Sequence, residues 1–245
     1  MKIDLKNKSV LITGATGGIG QALCHSFANA NAKICAHYNS QENIAQKLIN
    51  NLYGSGHNIF QADLSNSKEI NDLINSIEKI DIVINNAALV EQFELDSLSY
   101  EDWNFYWKRT LNVNLLGPAN MIYLASKKMK KNGGGKFINI SSRGAFRGEP
   151  KAPAYGSSKS ALNSLGQSMA LALAKEKIFI YAIAPGFVDT DRVKDIINDE
   201  IRSQSPLKRV ARPEEVAQTA LWLASEGNDF LTGSIIDING ASYFR

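Results

Sequence analysis

The sequence predicts an α/β fold: one domain built on a seven-stranded parallel sheet, doubly wound and flanked by helices. Three observations carry that reading. Short runs rich in Val, Ile, Phe and Tyr alternate along the whole chain with longer amphipathic stretches. The strand-like runs are apolar nearly throughout, which suits strands covered on both faces and hence a parallel sheet. Finally, 245 residues with 44% apolar and 21% charged side chains suit a single large soluble domain over 1–245, and no Pro-, Gly- or Ser-rich linker divides it.

The elements follow in order. SVLI (9–12) is the first strand, and a helix runs from about Gly18 to Ala30. KICAHY (33–38) precedes a helix from about Gln41 to Leu52, and NIFQ (58–61) precedes one near 67–77. DIVIN (81–85) leads to a long helical region opened by Ser99, with Asp102 three residues on as its capping partner. Gly117 and Pro118 should kink or divide that region before it runs on to about Met129. GKFINIS (135–141) is the fifth strand, followed by a helix bearing Tyr155 and Lys159, and IFIYAIA (178–184) is the sixth. A polar segment at 188–205 is expected to act as a lid over the substrate. A helix then opens with Pro213, Glu214 and Glu215, a proline-first and acid-rich first turn, and SIIDIN (234–239) closes the pattern.

Composition excludes several function classes. A net charge of +3, from 27 basic and 24 acidic side chains, is too mild to argue for nucleic acid. The densest basic run, KKMKK (127–131), suits the solvated C-terminal end of a helix. Cys24 and Cys35 lie in apolar stretches and read as buried thiols, with no metal-ligand spacing around them. No signal-peptide pattern and no apolar run of 18 residues is present, so a cytoplasmic protein without membrane association is expected. The three histidines all fall in the first quarter of the chain and no GxSxG elbow occurs, which rules against a Ser/His/Asp hydrolase.

Two motifs bear chemistry. TGATGGIG (13–20) sits where the first strand turns into the first helix. Gly14, Gly18 and Gly20 permit a tight turn and close approach of a pyrophosphate, while Thr16, Ile19 and the amides of the helix N-terminus face it. In AYGSSKSAL (154–162), Tyr155 and Lys159 stand one helical turn apart and project from one face. An ammonium there should favour the phenolate and bring the phenol toward the working pH range, giving a proton donor and acceptor. Taken alone, the pair also fits a surface helix with a solvated lysine.

The glycine spacing, with three residues between Gly14 and Gly18, resembles the short-chain dehydrogenase/reductase family. NNAA (85–88), NLLG (114–117), Ser142 thirteen residues before Tyr155, the YGSSK run and PGFVDT (185–190) resemble that family's motifs in type, order and separation. The resemblance covers essentially the whole chain and implies a Rossmann-type fold and an oxidoreductase interconverting a ketone and a secondary alcohol. It implies that Tyr155 exchanges a proton with the substrate oxygen and that Lys159 tunes Tyr155 and holds the nicotinamide ribose. Ser142 would stabilise the substrate oxygen, and Asn114 would support a relay water. Ser141 and Asn112 are the neighbours that fit the spacings less well. A dinucleotide-binding regulator without turnover is the alternative from another class.

The resemblance also assigns the cofactor contacts. Asp63 and Leu64 would meet the adenine, Asn86 and Ala87 the adenosine ribose, and Pro185, Gly186, Val188 and Thr190 the nicotinamide. At the end of the second strand stand Tyr38, Asn39 and Ser40, with no carboxylate to repel a 2′-phosphate. NADP(H) is therefore favoured, with NAD(H) left open. SPLKRVARPEEVA and NGASYF resemble the part of the family populated by 3-oxoacyl-acyl carrier protein reductases. Lys130, Lys131, Lys175 and Lys177 could receive an acidic carrier protein, although Glu176 lies where those enzymes place an arginine. A sugar, a polyol or another small ketone is equally compatible. Relatives of this kind form dimers or tetramers, and a homotetramer is expected, with WNFYW (103–107) suited to an interface or to the core.

Overall fold

A computed structural model describes residues 3–245, so the first two residues of the polar lead lie outside the described residues. The strands β1 (Ser9–Ile12), β2 (Lys33–Tyr38), β3 (Asn58–Gln61), β4 (Ile82–Asn85), β5 (Gly135–Ile140), β6 (Ile178–Pro185) and β7 (Ile235–Ile238) form one sheet. Their order is β3-β2-β1-β4-β5-β6-β7 and every neighbouring pair is parallel. The helices are α1 (Gly18–Asn29), α2 (Glu42–Asn50), α3 (Ser67–Ser76), α4 (Tyr100–Leu111), α5 (Gly117–Lys131), α6 (Pro153–Leu173), α7 (Asp199–Ser203) and α8 (Pro213–Ala224).

Strand alternation divides the core in two. On one face Val10, Ile12, Ile34, Ile84 and Ile138 pack with Leu23 and Phe27 of α1 and Val216, Ala220 and Leu223 of α8. On the other face Leu11, Val83, Phe137 and Ile180 pack with Ile70, Leu73 and Ile74 of α3 and Met121, Ile122 and Met129 of α5. Each fully buried side chain of this size contributes roughly 1.5–3 kcal/mol. The unbroken apolar runs are therefore what fixes both layers. The polar helix starts are satisfied locally. Ser99 accepts from the Asp102 amide at 3.0 Å and donates to its carboxylate at 2.7 Å, and the Arg212 amide donates to Glu215 at 2.8 Å.

One expectation changes. The helical region from Ser99 is not broken at Gly117 and Pro118; a π-turn, Asn112–Leu116, joins α4 to α5. Pro118 has no N–H for the carbonyl four residues back, and the ladder slips by one, so that Gly117 N–H reaches Asn112 O. A Cβ on Gly117 would come within 3.0 Å of Leu64 O, which explains the glycine. The lid region holds a 3-10 turn at Lys194–Ile196 and the short helix α7. It is pinned where the Ser205 hydroxyl donates to Gly240 O at 2.6 Å. The chain winds outward from β1 through β2 to β3 and then crosses to β4, so the ends of β1 and β4 diverge. That switch point opens a crevice at the carboxyl edge of the sheet.

Candidate active site

A cleft of about 700 Å³ runs along this edge. At its floor Thr13 ties the two diverging strands together. Its hydroxyl donates to Ile84 O at 3.2 Å and accepts from the Asn86 and Ala87 amides at 2.9 and 3.0 Å. The Asn86 side chain returns to Thr13 O and Gly14 O at 2.9 and 3.1 Å. Gly14 has φ +63°, and a Cβ on Gly20 would fall 2.2 Å from Gly14 O. Only glycine fits either place. The start of α1 has Gly17 as N-cap, no side-chain cap and no acid in its first turn, whereas Asn66, Ser99 and Asn198 cap α3, α4 and α7. Uncapped amides at the positive end of a helix dipole, opening into a cleft, fit a pyrophosphate.

Gly14, Thr16, Gly18, Ile19, Gly20, Asn39, Ser40, Asp63, Leu64, Asn86 and Ala87 all line the cleft, as do Pro185, Gly186, Val188 and Thr190. Tyr38 does not line it: strand alternation turns its ring into the core, where it is buried. The neighbouring His37 lines the cleft instead. Its Nδ1 accepts from the Gly14 amide at 3.1 Å and its Nε2–H donates to Ala62 O at 2.9 Å. One neutral ring thus bridges the glycine loop to the segment bearing Asp63 and Leu64. Burial pushes its pKa down to about 4, against smaller opposing effects of the Ala62 carbonyl and Asp63. His37 fits no hydrolase pattern in the sequence; its role is to hold two backbone segments together.

At the other end of the cleft stand Ser142, Tyr155 and Lys159. Ser142, just past β5, accepts from the Gly144 amide at 2.9 Å and lines the cleft beside the Tyr155 phenol. Lys159 Nζ lies 5.7 Å from the centre of the Tyr155 ring and donates to Ile140 O at 2.7 Å. Their electrostatics correct the expectation of a phenol made acidic by a standing charge. Burial, and then Arg192, push the Lys159 amine down to about 7, so at neutral pH it is only partly charged. Burial raises the Tyr155 phenol above its ordinary value, with Ser142 and then Arg192 opposing.

Asn114 is fully buried behind the cleft wall rather than on it. Its Oδ1 accepts from the Leu89 amide at 2.8 Å, and its Nδ2 donates to Leu89 O at 2.9 Å and Ser158 Oγ at 3.1 Å. The Ser158 hydroxyl donates in turn to Tyr155 O at 2.7 Å. Ser141 is buried with no partner for its hydroxyl among the described residues. Arg143, Glu149 and Arg192 also line the cleft, and motif reading passed over all three. Arg143 stood next to Ser142 in the sequence and was the available signal.

Comparison with known proteins agrees with this geometry. A family model described as enoyl-(acyl carrier protein) reductase matches residues 14–241. The chain belongs to the short-chain dehydrogenase/reductase family of oxidoreductases. It is 32% identical to the 3-oxoacyl-[acyl-carrier-protein] reductase FabG of Aquifex aeolicus, over 99% of this chain and 100% of that protein. It is 34% identical to the 2-dehydro-3-deoxy-D-gluconate 5-dehydrogenase of Bacillus subtilis, over 97% and 95% of the two chains. Among solved structures, the angucycline C-6 ketoreductase LanV with bound NADP superposes with a TM-score of 0.89 at 26% identity, covering 98% of this chain and 97% of that one.

Proposed function

We propose that this chain reduces a ketone to a secondary alcohol with NADPH, through Tyr155, Ser142, Lys159 and Asn114. The observation that carries the reading is the convergence of Ser142, Tyr155 and Lys159, with Lys159 Nζ 5.7 Å from the centre of the phenol ring, on one cleft whose far end is the uncapped glycine loop. The dinucleotide, when bound, supplies the hydride for the carbonyl carbon. Gly14, Gly18 and Gly20 with the α1 amides would hold its phosphates. Tyr155 donates the proton to the carbonyl oxygen; the phenol, raised by burial, is protonated at neutral pH. Ser142 shares the developing negative charge. Lys159, with its pKa near 7, exchanges a proton readily in that range and replenishes the phenol. Asn114 positions rather than reacts, because it locks the turn bearing Tyr155 through Ser158.

NADPH is preferred over NADH in this reading. Asn39 and Ser40 are exposed at the end of β2 and line the cleft with uncharged side chains that can donate hydrogen bonds to a 2′-phosphate. NADP in the LanV structure supports the same choice. The exposed Phe105, Leu116 and Tyr123 on the α4–α5 rod, with Leu171 on α6, support a homodimer or tetramer. Docking of an acyl carrier protein finds less support, since Lys130 is paired with Glu176 at 3.3 Å.

The test is a panel of carbonyl compounds, including a 3-oxoacyl thioester, followed at the reduced-nicotinamide absorbance with NADPH and NADH in parallel. Tyr155→Phe should keep NADPH affinity while turnover falls about a thousandfold or more. Undiminished turnover in that variant would overturn the assignment of the proton donor.

A further inference from the structure

A guanidinium follows Ser142 directly. Arg143 opens the 3-10 turn Arg143–Ala145, is only 5% exposed, and lines both the main cleft and a second cavity of about 180 Å³ beside the lid. Its one hydrogen-bond partner among the described residues is neutral, the Ser242 hydroxyl at 2.7 Å from Nη1. The Phe187 ring lies 5.4 Å from its Cζ. No carboxylate among the described residues comes within 4.0 Å of it. Glu149 acts on it only from beyond ion-pair distance and Arg147 opposes, and a buried cation without a contacting anion is unfavourable unless something supplies the charge. A second cation points the same way. Arg192, on the lid, has no hydrogen bond or ion pair among the described residues, yet its field reaches both Tyr155 and Lys159.

Building on the oxidoreductase reading, we propose that the substrate is an oxo acid whose carboxylate is received by Arg143, with Arg192 reinforcing it from the lid. With Nη1 spent on Ser242, the rest of the planar guanidinium fork matches a planar carboxylate. Glu149, in the same cleft and with no ion-pair contact among the described residues, adds negative charge that disfavours a doubly charged phosphate and can accept a hydrogen bond from a substrate hydroxyl. The second cavity mixes polar and apolar walls: Arg143, Gln204 and Arg209 line it with Phe187, Leu207 and Val210, and Gln204 Oε1 is buried with no partner among the described residues.

The experiment compares acetoacetate and levulinate with their primary amides on the NADPH-saturated protein, by melting temperature and by KM. Each acid should bind roughly 10- to 100-fold more tightly than its amide. Arg143→Met should erase that difference, and Arg143→Lys should restore part of it. Should Arg143→Met fail to fold, Arg192→Gln and the wild-type acid-to-amide ratio carry the test. Equal binding of acid and amide by the wild type, or a preference surviving in Arg143→Met, would overturn the inference while leaving the oxidoreductase reading intact. If NADPH alone raised no melting temperature, both would fall.

Discussion

Replacing His37 tests how much of the glycine loop is held by one ring. In His37→Leu the Gly14 amide and the Ala62 carbonyl both lose their partner, at 3.1 and 2.9 Å. Each unsatisfied buried backbone group costs about 1–3 kcal/mol, so the variant should lose roughly 2–5 kcal/mol. His37→Asn can still accept and donate and should recover part of it. Acid titration gives an independent magnitude. The unfolded chain takes up the imidazole proton near 6.5 and the folded chain only near 4. Between those values the unfolded state binds more protons, so stability falls as the pH drops through the window. The full effect is roughly 3 kcal/mol. Urea denaturation across that window should show the wild type losing about that much more stability than His37→Asn, since the carboxylates common to both cancel. Parallel profiles, or an imidazole titrating by NMR at its ordinary value, would refute the reasoning.

Lys159→Met should change the alkaline side. The wild-type amine titrates near 7 when folded and near 10.5 when unfolded, so wild-type stability should rise with pH between those values. Denaturation curves for the variant should lack that rise. In Gly18→Ala the new Cβ would fall 2.7 Å from Thr190 Cγ2. NADPH affinity, followed by fluorescence titration, should drop about tenfold or more, and adding Thr190→Ser, which removes that methyl, should restore it. Asn114→Ala strands the Leu89 amide and frees Ser158, and should lower stability by about 2–3 kcal/mol in denaturant unfolding.

The strands were legible because parallel sheets bury both faces, so β1 and β4 read as uninterrupted apolar runs. The Ser99 cap was legible because a side chain and an amide three residues apart meet in only one way. Other features depend on neighbours that no local pattern names. Spacing put Lys159 beside Tyr155 but said nothing of its desolvation, which removes much of its charge. Alternation placed His37 and Tyr38 on opposite faces, yet only the packed sheet decides which face meets the glycine loop. Gly117–Pro118 reads as a break because proline lacks a donor, and the slipped ladder at Asn112–Leu116 answers that lack without one. Arg143 carries no motif at all; that its guanidinium contacts a neutral hydroxyl and no carboxylate is visible only in three dimensions.

The π-turn at Asn112–Leu116 separates architecture from chemistry within one rod. Such a turn is a single surplus residue absorbed locally, and the helices on either side keep the phase of an uninterrupted α-helix. Met121, Ile122 and Met129 would therefore face the sheet equally well without it. What the surplus residue secures is the clamp from Asn114 through Ser158 to the turn beneath the phenol. A lineage that dropped one position here would keep its shape and shed the rigidity behind the Tyr155 phenol.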